Sequence, residues 1–492
     1  MLLTIDIGTS SFKSALWDYS GSRLSFAAAP LSSGVKDGVR HEADPAQWLT
    51  AFNQCCAKLG NLKQVEAIVI SGNGPTLVPI LESTLQDSQS QLKASNSQPP
   101  TPDSRLPTPA SQLPTPHSNA ILWLDRRAVK YQSEVSNVMG GFVDASFFLP
   151  KILAIKNEES GLYDRVKFFL GCPEFLAYAL TGEARNVFPC EGFDRWFWDD
   201  ISLEKLNLDK SKFPAFIKPG DPFGTLEPRL AERFGFSKTV TVFSGGPDFF
   251  ASIVGSGVTE PGQACDRTGS SEGINLCTEN RINDSRLMSY AHPVKPWCNL
   301  SGIINTTGKA VDWGRGLLGL NSFDEFIALA EKSAPGSGSL VFLPYLAGER
   351  APVWNPKARA VFSGVSLSTG RGEFANSILE GIGFAIRDVL SVMAETGAAA
   401  AQLRVTGGLA GCSVLNRIKA DITGLEVLEG VHKEAELLGL AIIGACSLGK
   451  FSSVKEASSA LCRIERRYEP NIKHKTLYDE LFTEYLSQRR DN

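Results

Sequence analysis

The chain has 492 residues, more than one hydrophobic core usually supports, and its 43% hydrophobic and 21% charged residues are ordinary for a globular protein. Two domains are expected, and extensive disorder is excluded outside a local segment. A net charge of -4 gives no electrostatic case for binding nucleic acid or an anionic membrane.

At the start of the chain, Thr4 to Leu16 reads as a strand, a Gly/Ser/Thr turn and a second strand. Gly8 lets the backbone approach an anion closely, and Thr9, Ser10 and Ser11 bring N–H and hydroxyl donors that suit phosphoryl oxygens. Asp6 then stands where Mg²⁺ or its waters need an oxygen. The same pattern also fits an ordinary Asx-type hairpin turn. No basic n-region precedes Asp6, which interrupts the apolar stretch, so no secretory signal is expected and a cytoplasmic location is.

Between two strand-like runs, Leu77 to Leu81 and Ala120 to Leu124, lies a segment of different composition. Thr84 to Asn119 is rich in Ser, Gln and Pro and ends in three heptads, PPTPDSR, LPTPASQ and LPTPHSN. Prolines deny it ladder hydrogen bonds, and it has few large apolar residues to offset ordering entropy. A disordered insertion at a hairpin tip is expected, with docking of a proline-recognising partner as the alternative.

Further on, apolar runs suited to buried strands alternate with amphipathic helical patterns such as Ala375 to Leu390, giving an α/β chain. Ser244 to Gly255 reads as a strand ending in Gly-Gly that turns into a helix, and a domain boundary is expected after it, dividing the chain into 1–255 and 256–492. Asp248 at that turn can accept a proton from a substrate hydroxyl, or simply cap the helix that follows. A second Gly/Ser/Thr turn, Thr268-Gly269-Ser270-Ser271, resembles the first and suggests two related domains around a nucleotide. The longest apolar run, Leu437 to Leu448, is shorter than a bilayer span and reads as a buried helix. Ten cysteines without a Cys-x-x-Cys pair read as reduced thiols, and five dispersed histidines make a zinc site improbable.

Taken together the chain resembles the FGGY carbohydrate kinases of the sugar kinase, heat-shock chaperone and actin superfamily, most closely the xylulokinase-like members. The strongest stretch runs from Phe342-Leu343-Pro344-Tyr345-Leu346-Ala347-Gly348-Glu349-Arg350-Ala351-Pro352 through Asn355-Pro356 and Ala360 to Val365, and continues with Glu373-Phe374, Ser377 to Ile382 and Phe384-Ala385. His41 to Pro45 before Trp48, and Ile121 to Arg127, match in order. The resemblance implies a two-domain actin-like (ribonuclease H-like) ATPase fold with nucleotide and sugar in the interdomain cleft. It implies Asp248 as the general base, and ATP with Mg²⁺ at Asp6, Gly8, Thr9, Ser10 and Ser11. Lys13 would lie near the transferring phosphoryl group, although a solvated strand lysine is the plainer reading. Thr268, Gly269, Ser270 and Ser271 fall on the second phosphate turn, and Gly407, Gly408 and Leu409 on the adenosine motif.

Departures concentrate on the substrate and its neighbourhood. Ser71 to Thr76 occupies the loop where xylulokinases carry Gln-Met-His-Gly and glycerol kinases Arg-Glu, so Asn73 and Gly74 stand in a different recognition loop. Trp123, Asp125 and Arg127 could line a polyol pocket, or form a strand-end salt bridge. Ala154 replaces a usual Trp, Leu409 a frequent third glycine, and Glu272 follows the serines where Gly is common. The expected activity is transfer of the ATP γ-phosphoryl group to a sugar or polyol hydroxyl, D-xylulose being the leading ketopentose, with ribulose, glycerol or gluconate as alternatives. A nucleotide-dependent binding protein without kinase activity is the alternative of another class, and a homodimer is compatible with either.

Overall fold

The computed structural model describes residues 1–36, 38–82 and 118–490, so nearly all of the expected insertion, 84–117, lies outside the described residues. The chain divides into two units, Met1–Ala251 with Ile443–Ser452, and Ser252–Ile442 with Ser453–Asn492.

In the first unit the strands are β1 (Leu2–Ile7), β2 (Ser11–Trp17), β3 (Arg23–Pro30), β4 (Gly34–Lys36), β5 (Arg40–Ala43), β6 (Ala67–Gly72), β7 (Leu77–Leu81), β8 (Ala120–Ile121), β9 (Val166–Gly171), β10 (Pro222–Thr225) and β11 (Thr241–Pro247). Six of them form a sheet ordered β10-β11-β6-β1-β2-β3, with β1 antiparallel to β2 and parallel to β6, and β6 parallel to β11. Every residue of β1 and β6 is buried, as a strand covered on both faces requires. The one neutral polar side chain inside β1, Thr4, is satisfied by accepting from Trp17 Nε1 at 2.8 Å. A second sheet, ordered β4-β5-β8-β7-β9, carries the loops on either side of the insertion. Helix α1 (Ala46–Leu59) buries Trp48, Phe52, Cys55, Cys56 and Leu59 at helical spacing and packs on β2 and β3, while α2 (Phe148–Glu158) and α3 (Cys172–Thr181) complete the unit. Helix α4 (Asp248–Gly255) begins where β11 ends.

The second unit repeats this plan. Its sheet, ordered β14-β15-β13-β12-β17-β18-β19, contains β12 (Gln263–Thr268), β13 (Glu272–Thr278), β14 (Met288–Ala291), β15 (Cys298–Ile304), β17 (Gln402–Gly407), β18 (Glu426–Gly430) and β19 (Ile464–Tyr468), and β16 (Val341–Leu343) lies in a separate two-stranded ribbon. Strand β12 is antiparallel to β13 and parallel to β17, as β1 is to β2 and β6. The similarity of the two Gly/Ser/Thr turns thus extends to the strands around them. Helix α5 (Gly308–Leu317) follows β15, α6 (Arg371–Glu395) packs on β15 and β16, and α7 (Ser413–Thr423) packs on α6 and β18.

The division differs from one boundary at 255/256 because the chain returns to the first unit late. Helix α8 (Ala435–Ser447) is the buried helix expected from the apolar run, and its last residues fasten there: Ser447 Oγ donates to Gly220 O at 2.8 Å, and Lys450 lies 4.8 Å over the Tyr19 ring. A contiguous split misses this because both surroundings of the helix are apolar. Helix α9 (Lys475–Arg490) closes the described chain. No helix among the described residues is long and apolar enough to cross a membrane.

Phe175 of α3 is fully buried and meets Trp48 edge to face at 5.8 Å. Phe175→Ala is expected to cost about 3–5 kcal/mol, read as a lowered thermal midpoint by circular dichroism.

Candidate active site

In the first unit the candidate side chains stand at the carboxyl ends of the parallel strands, where an open α/β sheet has no ladder to complete. Asp6 closes β1, Asn73 follows β6 and Asp248 follows β11. Because β6 separates the other two strands, the two aspartates are about two strand spacings, roughly 10 Å, apart. Burial, then the charges of Glu174, Asp6 and Asp248, all raise the Cys172 thiol, so both aspartates reach one neighbourhood.

Asp6 is buried and pairs in register with Lys13 on β2. Within the turn Gly8 N donates to Ser11 O at 2.9 Å, and a Cβ on Gly8 would lie 3.0 Å from that same oxygen. Trp123 Nε1 donates to Thr9 Oγ1 at 3.0 Å, tying the turn to the loop after β8. Asp248 is half-buried and its Oδ1 accepts from Phe249 N at 2.6 Å, so it orients its own carboxylate at the start of α4. Phe249 in turn stacks on Phe193 at 5.6 Å, Phe193 meets Trp196 at 5.1 Å, and Trp196 stacks on Phe147 at 4.4 Å. The carboxylate is therefore carried by a residue pair braced by aromatic rings.

Three expected substrate contacts are engaged elsewhere. Asn73 donates from both its backbone N and its Nδ2 to Ile7 O at 2.9 Å, and accepts from Thr76 Oγ1 at 2.5 Å. It is a buried turn former, whereas nothing lies within 4 Å of a Cβ built on the adjacent Gly74. Asp125 has no exposed side-chain surface; it accepts from His41 N at 2.7 Å and from Arg127 Nε and Nη2, and Arg127 also reaches Glu42 at 2.6 Å. The strand-end salt bridge is the arrangement that forms, because a buried carboxylate needs these donors for itself. Of the three residues after β8, Trp123 alone reaches the phosphate turn among the described contacts.

The second unit places its turns side by side. Thr268 and Gly407 are register partners of β12 and β17, so the turn Gly269 to Ser271 adjoins Gly407-Gly408-Leu409. Gly407 has φ +92°, and a Cβ there would lie 2.3 Å from Thr268 O, so only glycine serves. Ser270 and Gly408 are exposed at the turn tips, and Gly269 N donates to Ser271 O at 2.8 Å. The start of α5 backs the turn, with Thr307 N donating to Ser270 O at 3.1 Å and Gly308 N to Gly269 O at 3.0 Å.

Two family models cover the chain: the FGGY family of carbohydrate kinases, N-terminal domain, at residues 1–87 and 112–255, and its C-terminal domain at 268–448. The chain belongs to the FGGY family of carbohydrate kinases. It is 26% identical to a xylulose kinase of Staphylococcus epidermidis over 99% of this chain and 95% of the relative. Among solved structures, a ligand-bound xylulose kinase from Lactobacillus acidophilus superposes with a TM-score of 0.82 at 21% identity, covering 100% of this chain and 98% of the other. A gluconate kinase from Lactobacillus acidophilus gives a TM-score of 0.82 at 20% identity, covering 100% and 97%. The expected two-domain actin-like α/β fold is thus shared, and the protein is a sugar kinase.

FGGY carbohydrate kinases use ATP with Mg²⁺. At Gly8 and Gly407 a Cβ would press on the Ser11 and Thr268 carbonyl oxygens, so glycine lets each turn close, and the exposed tips Ser270 and Gly408 leave backbone open to phosphate or nucleoside. No group of three or more His, Cys, Asp or Glu side chains able to hold a metal occurs among the described residues. A buried aspartate beside the Gly8–Ser11 turn suits Mg²⁺, which keeps waters and phosphate oxygens as most of its ligands.

Sequence reasoning gave no role to two buried groups of this FGGY kinase. Lys151 on α2 is fully buried and donates to Pro75 O at 2.8 Å, Leu122 O at 2.8 Å and Ile121 O at 3.3 Å, joining the Asn73–Thr76 loop to the residues before Trp123. Burial pushes its pKa down to about 7. A lysine inside the apolar run Phe148 to Ile155 was the available signal. Glu349 supports the loop ahead of α5: its Oε1 accepts from Asn305 N and Arg350 N at 2.8 Å, and burial raises its pKa to about 8.

Between the unfolded value of about 4.3 and about 8, the folded state keeps a proton on Glu349 that the unfolded chain has released, so this group's contribution to stability declines as pH rises through that window. Glu349→Gln retains the accepting oxygen and abolishes the titration. Its thermal midpoint, relative to wild type, is expected to increase steadily from about pH 5 to pH 8, and a constant offset would contradict the raised value.

Proposed function

We propose that this FGGY kinase transfers the γ-phosphoryl group of ATP to a hydroxyl of a ketopentose, D-xylulose in the first instance, with Asp248 as general base. The observation that carries the reading is the position of Asp248 at the carboxyl end of β11, held by the N–H of Phe249 and two strands from Asp6. Identity to a xylulose kinase over nearly the full chain supports the sugar. Gluconate is the second candidate, because a gluconokinase of Bacillus subtilis is 25% identical over 69% of this chain.

In this reading the N–H and hydroxyl groups of Thr9 to Ser11 receive phosphate oxygens in the first unit, and those of Ser270 and Ser271 do so in the second, where Thr268 anchors the turn. When bound, Mg²⁺ supplies positive charge to the phosphate oxygens, and Asp6 is the carboxylate that would hold it or its waters. Lys13, in register with Asp6, adds positive charge as the phosphoryl group transfers. Gly407, Gly408 and Leu409 give a backbone surface for the nucleoside. Asp248 takes the proton of the attacking hydroxyl, and its fixed orientation removes a rotational cost from that step. Gly74, with open space beside it, and Trp123 offer the sugar a backbone edge and an aromatic face. The reading includes a cytoplasmic location, supported by ten cysteines all in thiol form.

The test is ADP release with Mg²⁺ and ATP across ketopentoses, polyols and aldonates, for wild type and Asp248→Asn. Sugar-dependent turnover by wild type, lowered about 10²- to 10⁴-fold in kcat by the substitution with a nearly unchanged KM for ATP, is expected. Turnover that survives in Asp248→Asn removes the base, and the best substrate in the panel decides between ketose and aldonate.

A further inference from the structure

Beneath the second phosphate turn lies a charged group that phosphoryl transfer does not use. Lys419 of α7 is sealed from solvent, and its Nζ donates to Asp266 Oδ2 at 2.6 Å, Glu272 Oε1 at 2.6 Å and Thr268 Oγ1 at 2.9 Å. Three N–H groups thus meet three acceptors. The Thr268 hydroxyl donates onward to Glu272 Oε1 at 2.8 Å, and Asp266 Oδ1 lies farther away at 3.3 Å. Receiving from Lys419 and donating to Glu272, that hydroxyl has one orientation.

Two carboxylates and one ammonium would leave a buried negative charge, and a proton removes it. Burial, then the charge of Glu272, raises Asp266 well above the carboxylate range. Burial alone would raise Glu272 as well, but Lys419 outweighs it and holds Glu272 low. The group is therefore a neutral Asp266 beside a charged Glu272–Lys419 pair. Apolar residues of matched size usually replace such a pair without loss of stability, so stability alone is a weak reason for it to be there.

Its placement supplies the reason. Thr268 and Glu272 are the register pair that closes the β12–β13 hairpin, with the turn Gly269 to Ser271 between them. Thr268 is also the partner of Gly407 on β17, and Lys419 belongs to the helix that follows the Gly407-Gly408 turn. One carboxylate thus connects both turns of the second unit to one helix.

We propose that Glu272 is a positioning residue for the nucleotide: through Thr268 and Lys419 it fixes the Gly269–Ser271 and Gly407–Gly408 turns in the form that receives the phosphates and nucleoside. This rests on the reading of those turns as nucleotide contacts. Glu272 itself touches neither substrate. Without its carboxylate the Thr268 hydroxyl keeps only the longer contact to Asp266 Oδ1, and Lys419 keeps Asp266 and Thr268, with Asp266 able to release its proton and preserve a balanced buried pair.

The experiment is calorimetric binding of MgADP to the full chain, with KM for ATP and for sugar measured in parallel. Glu272→Ala is expected to weaken MgADP binding about tenfold and raise KM for ATP alike, a scale typical of partners that orient ligand contacts, while KM for sugar stays within about twofold. Glu272→Gln keeps an accepting oxygen for Thr268 and Lys419 and is expected to restore most of the affinity. Should Glu272→Ala fail to fold, the double variant Glu272→Leu, Lys419→Met, which removes the acceptor for Thr268 together with the ammonium, takes its place with the same expectation. MgADP affinity unchanged in a folded variant, or nucleotide and sugar constants that weaken together with a falling thermal midpoint, overturns the proposal. Wild type that binds no MgADP overturns the nucleotide reading of the turns themselves, an outcome distinct from an unresponsive variant.

Discussion

Parallel pairing of β6 with both β1 and β11 is the constraint on which the first unit's chemistry depends. Strands that run the same way end together, so their following loops emerge at one edge of the sheet, where backbone groups no longer serve a ladder. Asp6 and Asp248, distant in sequence, become neighbours through backbone hydrogen bonds alone. The second unit applies the same constraint to β12 and β17, and its two glycine-containing turns meet for the same reason. Site geometry in both units is therefore set first by register, and side chains refine it.

That refinement relies on buried charge. Lys151 holds three carbonyls, Arg127 holds Asp125 and Glu42, and Lys419 holds Asp266, Glu272 and Thr268. Each cation is placed where irregular backbone or a strand end must keep one shape without a ladder to enforce it. Burying such groups is favourable only when every donor finds an acceptor, which makes the arrangements intolerant of partial change. A loop fixed in this way loses little entropy when a ligand arrives.

Both Gly/Ser/Thr turns, Asp248 and the buried helix around Leu437 to Leu448 were legible in the sequence, because each depends on local pattern: small residues in a turn, a carboxylate at a strand-to-helix junction, an uninterrupted apolar run. Asn73 was not, and for Asp125 and Arg127 the strand-end salt bridge was only one of two readings, since residue type shows that a side chain can hydrogen-bond but not with what. Asn73 reaches back to Ile7, and Asp125 to the backbone of His41, partners far away in sequence. Glu272 stood out as a departure yet had no explanation until Lys419 was beside it, more than a hundred residues downstream. The return of Ile443–Ser452 to the first unit was equally hidden, because an apolar helix carries no mark of which core receives it.

That return bears on how the protein is made. The ribosome emits β1 to β11 early, but Ser447 and Lys450, which bond to Gly220 and cover Tyr19, leave the tunnel only after most of the second unit has been synthesised. Vectorial folding can build the amino-terminal sheet, yet the helix end that fastens to Gly220 and Tyr19 arrives later. Contacts that link the two ends of a long chain are also the slowest to find, since loop closure must precede their reward. Although its topology looks like two modules in tandem, the first acquires its last contacts only after most of the second has been made.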